Sequence, residues 1–265
     1  MRIMFWNTHN NTIINELLCD LIIENDINIV VLAEYKADMT ELLSIIGFKG
    51  RIMTEYPTVG CKRIKILGDV KPKNVNPCNH SDYYSMQLIN NDCILCCIHF
   101  SSQIYSANYN MRSVEASSLV SDINSLEKRN NTKNTIIVGD FNVDPFDDLM
   151  INHLFFHGQP IYDIAQKESR VISGKAFEMF YNPMWNMLGD FEKPYGTYYT
   201  NSNQSVGIYW HLFDQVIIRP NLRDRFIDKS LKILTRSASL SLIDNKGRPD
   251  SKISDHLPIV FEIKE

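Results

Sequence analysis

Chemistry is concentrated at the end of one apolar run, Asn134-Thr-Ile-Ile-Val-Gly-Asp-Phe-Asn142. Ile136, Ile137 and Val138 are consecutive and β-branched, as in a strand covered on both faces. The run stops at Gly139, and Asp140 and Asn142 follow two positions apart. If the strand persists, both side chains point the same way. A carboxylate that activates water, beside an amide that holds a phosphate oxygen, makes a phosphoester site. The same residues also suit a plain strand-to-turn junction, because Gly-Asp and Asn-x-Asp-Pro are common turn material.

The choice depends on what the other elements deliver. Arg2 to Trp6 forms a first strand with Asn7 at its exit. Asn10 or Asn11 is placed to cap a helix with paired apolar residues at Ile13 and Ile14, Leu17 and Leu18, and Leu21 and Ile22. Asn28 to Glu34 is a second buried strand ending in an acid. A short helix over Asp38 to Ile46 precedes weaker strand signals at Arg51 to Met53 and Arg63 to Leu67. The basic residues Lys62, Arg63, Lys65, Lys71 and Lys73 face one acid, Asp69, in a pattern that fits a lysine-protected edge strand. Tyr83 to Ile89 and Cys93 to His99 pair around Asn90-Asn91-Asp92, and His99 again closes an apolar run.

Asn108 to Lys128 carries the longest helical pattern. Asp144-Pro-Phe-Asp-Asp opens a further helix with acids in its first turn, turning Leu149, Met150, Leu154 and Phe155 inward. Phe180 to Trp185 and Pro194 to Tyr199 are aromatic and irregular, the composition of a packed loop or of a wall for stacking a planar group. Phe213 to Ile218 and Lys232 to Thr235 are strands, and Asp255 and His256 stand just before the last one. With no internal repeat, low-complexity tract or linker, residues 1–265 read as a single domain.

Apolar residues make up 44% of the 265 positions, enough for a large core, and the formal net charge of −4 excludes a uniformly basic nucleic-acid coat. A local basic groove, or a metal supplying the positive charge, remains compatible with that balance. The first residues lack a signal-peptide core and cleavage site, and no window is apolar enough to span a bilayer, so a soluble cytoplasmic protein is expected. The six cysteines are then thiols. Cys93-Ile-Leu-Cys96 lies within a strand, where positions three apart face opposite sides, so it is not a metal or redox pair.

Polar residues thus collect at strand ends: Asn7, Glu34, His99, Asp140, Asn142, Asp214, Asp255 and His256. Converging carboxylates repel unless a hard cation sits among them, and oxygen donors favour magnesium or manganese over zinc. In this order, with Gly139-Asp-Phe-Asn142 and Ser254-Asp-His256 as the specific signals, the chain resembles the endonuclease/exonuclease/phosphatase family over almost its whole length. That resemblance implies a four-layer α/β sandwich, two mixed sheets packed face to face with helices outside. It implies Glu34, Asn7 and Asp255 as ligands of Mg2+ or Mn2+, Asp140 to align or deprotonate water, and Asn142 to hold the scissile phosphate. His256, oriented by Asp214, would stabilise the phosphorane, and His99 would protonate the leaving group.

Two departures stand out. No acid for orienting His99 is identifiable, and Gln215 follows Asp214 where tyrosine or histidine is usual. The expected activity is a metal-dependent phosphodiesterase on nucleic acid, a DNA endonuclease. The alternative is a phosphatase or phosphodiesterase on inositol phosphates, phospholipid head groups or a nucleotide–protein adduct. A catalytically silent binding module is a third class, which the intact polar set disfavours.

Overall fold

A computed structural model of the chain describes residues 1–102, 109–190, 193–201 and 207–264. The first half lays down strands β1 (Arg2–Asn7), β2 (Ile29–Ala33), β3 (Thr54–Tyr56), β4 (Ile64–Gly68), β5 (Val75–His80), β6 (Tyr84–Ile89) and β7 (Cys93–His99). Helices α1 (Asn15–Glu24) and α2 (Met39–Phe48) are interleaved among them, and α3 (Tyr109–Asn130) leads into β8 (Thr135–Asp140). Then come α4 (Asp148–Ile151), β9 (Gly158–Gln159), α5 (Tyr162–Ala165), β10 (Ser169–Ile172), β11 (Lys175–Glu178) and β12 (Phe180–Tyr181). The chain closes with β13 (Tyr198–Tyr199), β14 (Trp210–His211), β15 (Asp214–Ile218), β16 (Lys232–Ile233) and β17 (Ile259–Glu262).

Two mixed sheets result, one in the order β16-β17-β1-β2-β4-β3 and the other β5-β6-β7-β8-β15-β12-β9. Strand periodicity shows how they stack. In the second sheet Leu95, Cys97, Ile136, Val138, Val216 and Ile218 join the core that also holds Ile3, Phe5, Val30 and Ile66 of the first. The alternate residues Ile94, Cys96, Ile98, Ile137 and Ile217 pack with Ala116, Leu119, Ile123 and Leu126 of α3. One face of the second sheet therefore meets the first sheet and the other meets a helix. With α1 and α2 packed on the first sheet through Leu17, Leu18, Leu21, Leu42 and Ile46, the layers are helix, sheet, sheet, helix. This is the expected α/β sandwich.

Several local expectations shift. Asn10 and Asn11 do not cap α1: Asn11 instead accepts from the Ile13 backbone N–H in a turn, and the helix begins at Asn15 after an N-cap residue, Ile14, that makes no side-chain bond. Asp38 does cap α2, accepting from Thr40 N at 2.8 Å. The lysine-flanked strand β4 is interior, between β2 and β3, and Lys65 pairs with Glu55 at 2.7 Å. Asp144 opens no helix. Only the four residues of α4 are helical there, with Leu149 and Met150 buried and Leu154 55% exposed. The hairpin β10–β11 had no sequence signal. Asn108 lies outside the described residues. All six cysteines are free, with Cys93 and Cys96 in different core clusters. Among the described residues no helix is long and apolar enough to cross a membrane.

One buried ion pair anchors the end of β8 remote from Asp140. Arg219, just past β15, donates to Glu127 of α3 at 2.8 Å and lies over the Phe180 ring at 4.0 Å. Glu127 also accepts from Thr135 at 2.6 Å and Lys133 at 2.9 Å. Burial pushes the Glu127 carboxyl up, but Arg219 and these hydrogen bonds outweigh it and hold it below the usual range. A carboxyl depressed in the folded state stabilises fully above its unfolded value, about 4.3 for glutamate, and loses that contribution as pH falls through the folded value. Arg219→Met leaves Glu127 buried without its main counter-charge, and urea unfolding at pH 7 should show a loss of about 3–5 kcal/mol. The difference between the variant and the wild type should shrink as the pH is lowered below about 4.

Candidate active site

The strands bring their polar ends to one edge because of register. Parallel pairing sets Asn7 level with Ala33, so Glu34 emerges beside Asn7. In the second sheet His99, Asp140 and Asp214 stand abreast on three neighbouring strands. Gly139 makes this alignment possible, because a Cβ there would collide with the Ile98 carbonyl oxygen.

Asp140 is the centre. It is 1% exposed, so its charge needs partners. Asn7 Nδ2 donates to its Oδ2 at 3.0 Å and the Asn142 backbone N–H to its Oδ1 at 2.8 Å. His99 Nε2 and His256 Nε2 approach the same Oδ2 to 3.8 and 4.0 Å. Glu34, at a left-handed φ of 50° that ends β2 abruptly, receives Asn7 Nδ2 at 3.3 Å and Asn10 Nδ2 at 2.7 Å. His99 Nε2 is 3.5 Å from its Oε1.

His256 is held from all sides. Its Nδ1 lies 2.8 Å from Asp214 Oδ2, and its backbone carbonyl accepts from Trp6 Nε1 at 2.9 Å. Its N–H donates to Ser254 Oγ, which in turn donates to the Asn7 carbonyl at 2.7 Å. The Ser-Asp-His segment is thereby stapled to the exit of β1. Burial alone would lower the His256 pKa, but Asp214 and Asp140 outweigh it and push it up to about 10. Burial also pushes the Asp214 carboxyl up, against the pull of His256. Thr197, buried and accepting from Asp214 N at 3.2 Å, completes the support.

His99 differs. Burial lowers its pKa, opposed by Asp140 and Glu34, and its buried Nδ1 has no hydrogen-bond partner among the described residues. The missing orienting acid expected for His99 is thus not supplied. Gln215 replaces the usual ring with a buried amide that donates to the Val143 carbonyl at 2.7 Å and accepts from Asn182 at 3.0 Å.

Asn7, Glu34, His99, Asp140, Asp214 and His256 are linked by direct contacts. Asp255 stands at the rim, its Oδ1 3.1 Å from His9 Nδ1, while His9 N donates to Asn7 Oδ1 at 3.0 Å. Asn142 corrects the expectation of simple alternation. β8 stops at Asp140, Asn142 adopts φ 53°, and its amide donates to the Phe100 carbonyl at 2.9 Å. One amide N–H is taken by the fold, and the second has no hydrogen-bond partner among the described residues.

Asp140, Asp214 and His256 offer atoms within 4.8 Å of one another, a spacing that could hold a metal. Asp214 and His256 already satisfy each other, so the trio fits proton handling better than coordination. Glu34 is half-buried with both oxygens accepting from amides, Asp255 stands at the rim, and the Asn7 side-chain oxygen accepts from His9 N; oxygen donors of this kind are the type a hard cation takes.

Sequence reasoning left the aromatic stretch open between a packed loop and a stacking wall, and did not place its rings beside His256. The Tyr198 ring lies 4.8 Å from His256 and stacks on Phe213 at 5.2 Å. Beyond it Tyr195, Tyr199, Tyr209 and Trp210 form a second cluster, capped by Arg248 over Tyr199 at 5.2 Å. The aromatic composition of Pro194 to Tyr199 was the available signal, but nothing in its spacing fixed which ring would meet His256.

No protein-family profile and no curated protein sequence matches the chain. Solved structures do match its fold. A 3'-5' exonuclease, NExo, from Neisseria meningitidis aligns with a TM-score of 0.62 at 14% identity over 100% of both chains. Another structure describes NExo as a 3' phosphatase bound to product DNA hairpin. An AP endonuclease from Archaeoglobus fulgidus aligns at 0.58 and 15% identity over 100% of both chains. An endonuclease/exonuclease/phosphatase family protein from Bacteroides thetaiotaomicron aligns at 0.57 and 12% identity, covering 99% of this chain and 97% of its own. The fold is therefore that of the endonuclease/exonuclease/phosphatase proteins.

In the metal-free protein the His256 Cε1 proton, followed by NMR, should titrate near pH 10. Asp214→Asn should lower that midpoint by about one unit or more, since an opposite charge in contact is worth roughly one to three. An unchanged midpoint would show that Asp214 does not hold the proton on His256.

Proposed function

We propose that the chain is a divalent-metal-dependent phosphodiesterase that cleaves nucleic acid, with DNA as its substrate and endonucleolytic cutting as its mode. The observation that carries this reading is the buried Asp140 carboxylate, set between the Asn7 amide and two imidazoles at the edge where both sheets end. Likeness of fold to an exonuclease and an AP endonuclease supports it.

Glu34, Asn7 and Asp255 would hold Mg2+ or Mn2+, which when bound offsets phosphate charge and stabilises the departing oxygen. Asp140, acceptor-only and buried, aligns an attacking water and takes its proton. His256 enters as an imidazolium, its Nδ1–H on Asp214, so Nε2–H can donate to a non-bridging phosphate oxygen as negative charge develops. The free amide N–H of Asn142 holds another phosphate oxygen. His99, kept neutral by burial, can donate a hydrogen bond to the leaving oxygen. The aromatic clusters supply faces on which bases stack.

The six free thiols support residence in a reducing compartment such as the cytoplasm. A phosphatase acting on small head groups would use the same residues, so the test includes both substrate types.

With Mg2+ or Mn2+, the wild type should nick plasmid and labelled oligonucleotides, and Asp140→Ala and His256→Ala should each reduce the rate by at least about 10²-fold, the usual scale of general acid–base loss. Circular dichroism checks that both variants are folded. Cleavage of no DNA or RNA, with phosphate release from inositol phosphates, would assign the site to the alternative chemistry.

A further inference from the structure

A second aspartate–histidine pair stands beside the first, on residues the reaction above does not use. Asp144 Oδ2 lies 2.7 Å from His211 Nδ1, and Asp144 Oδ1 accepts from Leu212 N at 2.9 Å. The Asp144 side chain is only 8% exposed and that of His211 15%. The arrangement repeats that of Asp214 and His256: a buried carboxylate holds one ring nitrogen and leaves the other free. Among the described residues nothing hydrogen-bonds His211 Nε2.

The two imidazoles line one wall. A single ring, Tyr198, separates them, 4.8 Å from His256 and 6.2 Å from His211 between centroids. β-pairing fixes this order, because Tyr198 bridges His256 on one side and pairs with His211 on the other. Phe213, the residue before Asp214, stacks on His211 at 4.5 Å and on Tyr198 at 5.2 Å. The Asp144 carboxylate fixes one ring nitrogen, and the stacked Phe213 ring fixes the plane of the imidazole. His211 Nε2 is thus left without a partner among the described residues, one ring along from His256.

We propose that His211, held in place by Asp144, binds a second phosphate of the substrate, the one adjacent to the phosphate being cleaved. The site therefore selects polymers with successive phosphates, a single-stranded nucleic acid end or loop, over lone phosphomonoesters. This rests on the phosphoester reading of the neighbouring site. It adds a subsite that a small head group bearing one phosphate could not fill.

The test is binding of a labelled single-stranded DNA oligonucleotide to the full chain without metal, measured by fluorescence anisotropy over a salt series. Each phosphate neutralised on a single strand contributes about 0.7 to the slope of log K against log salt. The wild type and His211→Lys, which places a cation there, should share one slope. His211→Asn should show a slope smaller by about 0.7 and, with metal added, a KM for the oligonucleotide raised roughly tenfold with little change in kcat. An identical slope for His211→Asn and wild type overturns the proposal, as does loss confined to kcat.

Should His211→Asn fail to fold, the wild-type His211 Cε1 proton, assigned by its absence in His211→Lys, must shift on adding the oligonucleotide; a static signal sinks the idea. Cleavage measured in parallel separates the two readings. A wild type that binds with the His211-dependent slope but never cuts overturns the nuclease activity alone. One that cuts with a slope indifferent to His211 overturns this subsite alone.

Discussion

Burying the Asp140 carboxylate is the constraint on which the rest of the structure depends. An ionised acid at 1% exposure is tolerable only where donors and positive charge surround it. Those neighbours come from four places in the chain: the exit of β1, the exit of β7, the turn after β8 and the segment before β17. Each must arrive in register. Gly139 allows β7 and β8 to approach closely, and Ser254 ties the last segment to the first through the Asn7 carbonyl. The sandwich thus converts the packing of two apolar sheets into a fixed arrangement of polar atoms at one edge.

That logic explains which parts of the molecule could be seen in the sequence. β1, β2, β7 and β8 are apolar runs covered on both faces, each leading to a polar residue at its end, and β15 is an apolar run that starts from one, Asp214. Site residues on such strands were legible. Asn142 was not legible in its detail, since its left-handed conformation breaks the alternation that a strand would impose. The start of α1 was misplaced because asparagine serves a turn as readily as a cap, and at Asn11 the turn prevails. Asp144 and His211 are 67 positions apart, and the pairing depends on where an irregular loop crosses the sheet edge. No local pattern records that.

The described residues of the irregular stretch after β12 contribute directly to the site. Thr197 and Tyr198 touch both histidine–aspartate pairs, through the Thr197 hydroxyl on Asp214 and the Tyr198 ring between the imidazoles. Gln215 follows Asp214, and its buried amide joins Val143 and Asn182 in a hydrogen-bonded network. Buried amides of this kind fix one packing, because any slip leaves a donor or acceptor unmatched.

The two histidines nearest Asp140 show how placement alone divides labour. Both are buried, and both bring Nε2 to about the same distance from one carboxylate oxygen, 3.8 and 4.0 Å. Yet His256 is pushed up and His99 down. The difference lies on the far nitrogen: His256 has Asp214 against Nδ1, whereas His99 Nδ1 has no partner among the described residues. Desolvation opposes the charged form of each ring; at His256 the hydrogen-bonded Asp214 helps outweigh it, whereas at His99 the more distant Asp140 and Glu34 do not. On the phosphodiesterase reading proposed above, such a pair would stabilise developing charge on one side of Asp140 and assist the leaving oxygen on the other. Asymmetry in that support, more than the identity of the residues, gives the cleft a direction along which a phosphodiester can be laid.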